Sequence, residues 1–102
     1  MYNIVLVCEH GASTSMLTNS MKEAALKMGV DAEINAFSYS KLDEVIEGVD
    51  LVLLGPQVRF RKAQIEEKYA DSAVKFAIID TVDYGMMNGE KVLKYALENL
   101  EE

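Results

Sequence analysis

The chain has 102 residues, half of them hydrophobic and 26% charged, which suits one globular domain spanning residues 1–102 and excludes a two-domain cleft. Its 10 Lys and Arg stand against 17 Asp and Glu, a net charge of -7, the wrong sign for a protein that binds nucleic acid by neutralising phosphates. One cysteine and one histidine exclude an intrachain disulfide and leave too few soft ligands for a zinc centre, so no metal and no cofactor are expected.

The amino terminus, Met1 to Val7, carries no basic leader, and no apolar run nears the roughly 18 residues of a spanning helix. The expectation is a cytoplasmic protein with no segment inserted in the membrane. Aliphatic and β-branched runs at Ile4–Val7, Asp31–Phe37, Asp50–Leu54 and Val74–Ile79 predict four strands. Between the first two, Leu17, Met21, Ala24, Ala25 and Met28 fall on one helical face, and Leu42, Val45, Ile46 and Val49 do so after the second. The stretch Gln57–Tyr69 carries a thinner stripe of Val58, Ile65 and Tyr69 and is also assigned to helix. A last helix is signalled by Leu93, Ala96, Leu97 and Leu100, with Asn88 and Gly89 as its start.

Strands alternating with helices predict right-handed crossovers and a three-layer α/β/α domain. Its sheet is four-stranded and parallel, in the order 2-1-3-4, with strands one and three central. Ligands of such sheets bind beyond the carboxyl ends of the strands, where three loops are expected: 8–15, 55–58 and 80–89.

The first of these loops concentrates the chemistry. Cys8, read as the first residue past strand one, is followed by Glu9, His10, Gly11, Ala12, Ser13, Thr14 and Ser15, and a helix begins directly afterwards. A glycine and small residues allow successive N–H groups to turn inward around an anion. The helix start adds unpaired donors and the positive dipole end, and three hydroxyls add more donors. The same field favours thiolate over thiol at Cys8. Against this stands the simpler role of a cysteine as a small core hydrophobe, with Ser and Thr as ordinary helix caps. The loop is not a Walker loop, which needs a second glycine and Gly-Lys-Ser/Thr. It differs also from the cysteine phosphatase loop, where an arginine follows the cysteine and five residues; Thr14 stands there. Loss of such a stabiliser costs about 3 kcal/mol of transition-state energy, so the loop is suited to holding a phosphoryl group and passing it on rather than to hydrolysis.

Cys8-x-x-Gly11-x-Ser13-Thr14-Ser15, then Leu53-Leu54-Gly55-Pro56-Gln57, then Ile79-Asp80-x-x-x-Tyr84-Gly85 together resemble the enzyme IIB component of the lactose/cellobiose-type phosphoenolpyruvate-dependent sugar phosphotransferase system. The resemblance covers nearly the whole chain. It implies that Cys8 accepts a phosphoryl group from a phosphohistidine of a IIA protein and passes it to a sugar held by the membrane permease IIC, the sugar being a β-linked disaccharide such as cellobiose, lactose or chitobiose. It implies further that residues 9–15 surround the phosphate, with Gly55, Pro56, Gln57, Tyr84 and Gly85 on neighbouring loops. Two positions depart from the pattern: His10, where a small residue is usual, and Asp83. A carboxylic acid at Asp83 is where a phosphatase would carry its general acid, so a small cysteine-dependent phosphatase or arsenate-handling protein is the rival enzyme, and an anion-sensing domain the non-catalytic one.

Arg59 and Arg61, with Lys62, form a basic cluster after the second motif and suit docking of an acidic partner; Lys62 also stands four residues before Glu66, an ordinary helical ion pair. Met16, Met86 and Met87 flank the same edge as an adaptable rim for partners.

Overall fold

A computed structural model of the chain describes residues 1–8 and 12–101, with side chains except at positions 12–14. In chain order it runs β1 (Tyr2–Cys8), α1 (Ala12–Met28), β2 (Ala32–Ser38), α2 (Leu42–Val45), β3 (Leu51–Leu54), α3 (Lys62–Lys68), β4 (Lys75–Ile78), α4 (Thr81–Gly85) and α5 (Gly89–Leu100). The sheet order is β2-β1-β3-β4, and each neighbouring pair is parallel, as the alternation of strand and helix signals predicts.

Strand alternation sorts the core into two layers. Ile4, Leu6, Leu51 and Leu53 point to one face, where Leu17 and Met21 of α1 and Val92, Leu93 and Ala96 of α5 close over them. Val5, Val7, Val52 and Leu54 point to the other, under Leu42, Val49, Val58 and Ile65. All four residues of β3 are buried, as are Ile4 to Cys8 of β1; the two central strands thus form the rigid part of the molecule. Gly29 ends α1 in the left-handed conformation (φ 69°). Its N–H and that of Val30 donate back to the Leu26 and Ala25 carbonyls, an arrangement for which glycine carries no Cβ penalty.

Several boundaries differ from expectation. Cys8 is the last residue of β1, paired with Ser38, rather than the first residue beyond it. Helix α1 already starts at Ala12, so positions 12–15 form its first turn and not a loop. The stretch assigned to one helix over Gln57–Tyr69 divides in two, because Pro56 opens a 3-10 helix over Pro56–Arg61 and α3 follows only from Lys62. Helix α2 is a single turn preceded by a 3-10 turn at Tyr39–Lys41. Its apolar spacing continues to Val49, but Gly48 (φ 82°) turns the chain and Val49 N–H bonds to the Ile46 carbonyl instead. Within 80–89, taken as a loop, α4 forms with Asp80 as its cap.

Candidate functional site

The carboxyl ends of β1, β3 and β4 bring the three sequence motifs to one edge of the sheet. Cys8 ends β1 there and is 3% exposed. Beside it, the Gly55 N–H extends the ladder by donating to the Val7 carbonyl at 2.8 Å, and Ile79 N–H does the same to Leu54 at 2.9 Å. The segment after β3 therefore leaves the sheet next to Cys8, and the segment after β4 leaves it one strand farther along the same edge. Helix α1, 17 residues long and starting at Ala12, begins at the same edge and brings its positive dipole end there. Ser15, in its first turn, is exposed. Glu9, His10 and Gly11, and the side chains of Ala12, Ser13 and Thr14, lie outside the described residues.

Gly55 is in direct contact with this centre. A Cβ built on it would lie 3.4 Å from the Cys8 Cβ and 2.7 Å from Gln57 Oε1. The absence of a side chain at Gly55 is what allows the Gln57 amide to fold back over Gly55, whose missing side chain would also touch Cys8. The turn is held by Val58 N–H donating to the Gly55 carbonyl at 3.0 Å. With three residues per 3-10 turn, Pro56 and Arg59 share one face, and both line a cleft of about 440 Å³ with Gln57, Thr81, Tyr84 and Gly85. Buried Val58 anchors the opposite side.

The third wall is α4. The Asp80 carboxylate accepts from Val82 and Asp83 N–H at 3.0 and 3.1 Å, and Tyr84 N–H donates to the Asp80 carbonyl at 2.9 Å. Tyr84 is thereby buried while Val82 and Met86 face solvent. Met87 adopts φ 53° to end this helix, with Asn88 N–H donating to the Asp83 carbonyl at 3.0 Å. Its side chain packs against the core, so it leaves the rim expected of it, and only Met16 and Met86 of the three methionines are exposed there.

The remaining charged candidates separate. Arg59 projects into the cleft and makes no ion pair among the described residues. Arg61 stacks its guanidinium 4.5 Å from the Tyr39 ring centroid and 5.1 Å from that of Phe60, while Lys62 pairs with Glu66 at 3.1 Å. Asp83 faces Lys91 at 3.7 Å and lines a different, larger cleft of about 680 Å³ with Asp80, Lys94 and Tyr95. Gln57 and Tyr84 do not line that cleft, whereas Arg59 and Thr81 line both. Asp83 therefore lines a different cleft from Gln57 and Tyr84. Among the described residues, no group of His, Cys, Asp and Glu is arranged to hold a metal ion, and no helix is long and apolar enough to cross a membrane.

Sequence reasoning missed Ser38, Tyr39 and Phe60. The first two follow from the pairing of β1 with β2, which carries Ser38 alongside Cys8. Phe60 belongs to the short 3-10 helix and is 71% exposed, a signal visible only once the buried face of that helix is known.

Residues 3–95 match the family model for the lactose/cellobiose-specific IIB subunit of the phosphotransferase system. The chain belongs to this family. It is a sugar phosphotransferase component of the IIB type. Among its relatives, the galactose-specific EIIB component of Lactococcus lactis subsp. cremoris is 43% identical over 102 residues, covering 95% of this chain and 94% of the relative. The solution structure of the cellobiose-specific IIB component of Borrelia burgdorferi superposes with a TM-score of 0.79 at 43% identity, covering 98% and 92% of the two chains. A lactose-specific EIICB component of Streptococcus mutans is 26% identical over 82 residues, which are 80% of this chain and 14% of that much longer protein.

Proposed function

We propose that this IIB domain is a cytoplasmic relay in which Cys8 carries the phosphoryl group. The observation that carries the reading is the convergence of Cys8, Gly55-Pro56-Gln57 and Tyr84-Gly85 on one sheet edge at the start of a long helix. A thiolate is both a good nucleophile and a good leaving group, as an intermediate between two acceptors requires. In the first half-reaction the Cys8 sulfur attacks the phosphorus of a IIA phosphohistidine. The S–P bond forms, the N–P bond breaks, and the thiol proton leaves with the imidazole. In the second, a hydroxyl oxygen of a β-linked disaccharide takes the phosphoryl group, the S–P electron pair returns to Cys8 as thiolate, and the hydroxyl proton passes to solvent. Positioning and charge neutralisation are the protein's contribution to both.

The donor is a IIA phosphohistidine protein and the acceptor a sugar held by a permease IIC; the EIICB relative, whose name joins a IIC with a IIB component, supports the second of these. Both meet a rim of exposed apolar side chains, Met16, Phe60, Val82 and Met86, set among Arg59 and Arg61. Aromatic, Met and Arg residues are the types enriched in protein interfaces.

The test is intact-mass measurement. With phosphoenolpyruvate, the general phosphotransfer proteins and a IIA of this type, the chain gains one phosphoryl group and Cys8→Ser gains none. A wild-type chain that stays unmodified with every such IIA, or a Cys8→Ser chain that is still modified, overturns the reading.

A further inference from the structure

The loop of a cysteine phosphatase clamps the phosphoryl group with an arginine that this chain lacks: Thr14 holds its position. The geometry points to Gln57 as the side chain that contacts the phosphoryl group on Cys8 from the adjoining β3 segment, with Gly55 as the residue that gives it room. This rests on the phosphocysteine reading above and adds a residue role to it.

The argument is steric first. The space where a Gly55 side chain would begin lies 3.4 Å from the Cys8 Cβ and 2.7 Å from Gln57 Oε1. A real Cβ is not tolerated at 2.7 Å from another heavy atom, so any residue but glycine displaces the Gln57 amide. The obstacle is the far end of a flexible side chain and not backbone; the remaining neighbours, Cys8 Cβ and the Val7 carbonyl at 3.4 Å, are at ordinary contact. Gly55 at φ -62° needs no unusual conformation, so space for Gln57, and not backbone freedom, is what the missing side chain provides.

Chemistry follows from the placement. The terminal amide carries two N–H donors and one acceptor, and a half-turn about its last bond presents the donors to an oxyanion on sulfur. Gln57 also lines the cleft shared with Arg59, Tyr84 and Gly85, the open side from which a partner's phosphoryl group arrives. A neutral donor suits a carrier: it steadies the phosphoryl oxygens on arrival without holding them so tightly that departure slows. The bonds made and broken are those already given, S–P for N–P and then O–P for S–P; Gln57 exchanges no proton in either.

The experiment measures single-turnover phosphoryl gain from phosphorylated IIA by intact mass, for wild type, Gln57→Ala, Gln57→Glu, Gly55→Ala and the Gly55→Ala/Gln57→Ala double variant, with thermal melts to confirm folding. Gln57→Ala is expected to slow gain about ten- to hundredfold, the range for one hydrogen bond to a charged group. Gly55→Ala slows it comparably, and adds nothing in the double variant, because both act through one amide. Gln57→Glu, nearly identical in shape, is slower than Gln57→Ala, since its carboxylate repels the phosphoryl oxygens; a merely structural Gln57 gives the opposite order. Additive losses in the double variant, a Glu variant milder than the Ala variant, or wild-type rates throughout overturn the proposal while leaving phosphocysteine intact. Should Gly55→Ala not fold, the order of Gln57→Ala and Gln57→Glu decides alone. A wild-type chain that gains no phosphoryl group removes the carrier reading and this proposal with it.

Discussion

The backbone N–H of Gly89 donates to the hydroxyl of Ser20 at 3.1 Å, and a Cβ on Gly89 would lie 2.4 Å from the Ser20 carbonyl carbon and 2.5 Å from the Met21 nitrogen. Backbone therefore meets backbone where α5 begins against α1. Gly89→Ala has no flexible neighbour to push aside and should destabilise the domain by about 3 kcal/mol, the upper end of overpacking costs. Ser20→Ala, which removes one hydrogen bond, should cost about 1 kcal/mol. Urea denaturation of both variants checks the ranking; equal midpoints would contradict the close approach.

Asp80 caps the short helix that carries Tyr84 to the site. Asp80→Ala should cost about 1 kcal/mol, as loss of a helix cap does, and Asp80→Asn far less, since its side-chain oxygen still accepts. Chemical denaturation gives the stability difference, and phosphoryl gain should fall in the Ala variant because the Tyr84–Gly85 wall loosens.

Asp43 is held below its ordinary value of 3.8, first by the hydrogen bond from Tyr69 and then by that from Lys68. A depressed carboxyl contributes stability that is present above its unfolded value and lost as pH falls through the folded one. Lys68 is raised above 10.5, chiefly by its hydrogen bond to Asp43, so its contribution is complete below 10.5 and lost at still higher pH. The tie between α2 and the end of α3 is thus strongest between these limits. Urea midpoints of wild type and Asp43→Asn should differ at pH 7 and converge below pH 3.8. The pair is exposed, so the difference is small and shrinks with added salt; a constant difference across pH would rule this assignment out.

Phe60 is largely exposed and touches Arg61 through its ring. Phe60→Ala should therefore cost no more than about 1 kcal/mol in stability, the value of an exposed cation–π contact. If Phe60 anchors the donor, the concentration of phosphorylated IIA needed for half-maximal rate should rise about thirtyfold, as for a 2 kcal/mol interface anchor, with the maximal rate nearly unchanged. A drop confined to the maximal rate would place Phe60 in the chemistry instead.

The strand order was legible because each strand announced itself as a short aliphatic run and each crossover as a helical stripe. Asn88 and Gly89 were readable as a helix start for the same reason: the cap residue precedes a clean 3.6-residue period, and its side chain does accept from Lys91 N–H. What escaped is what periodicity cannot register. Helix α4 has five residues, too few for a repeat, and only Asp80 hints at it. The Pro56–Arg61 segment follows a three-residue period in which one buried Val58 sets the orientation. At the site, motif order placed Cys8, Gln57 and Tyr84 at one edge. The fold of Gln57 over Gly55, the stacking of Arg61 on Tyr39 and the turn of Met87 into the core depend on contacts between segments distant in sequence. Asp83 illustrates the converse: its place in the chain suggested the general acid of a phosphatase, whereas the fold sets it against Lys91 in a cleft that Tyr84 does not line.

Cys8 ends a central strand between two core layers and is itself buried, so a partner can approach it only from the end of the sheet where that strand stops. Any protein that reaches it must seat over the same few side chains. If Cys8 is the phosphoryl carrier proposed above, donor and acceptor exclude each other: the domain has to release one before it can greet the next, and its throughput is bounded by how briefly each stays. Tighter binding to either would jam the turnstile, so such a surface is best served by contacts that are broad, adaptable and individually weak.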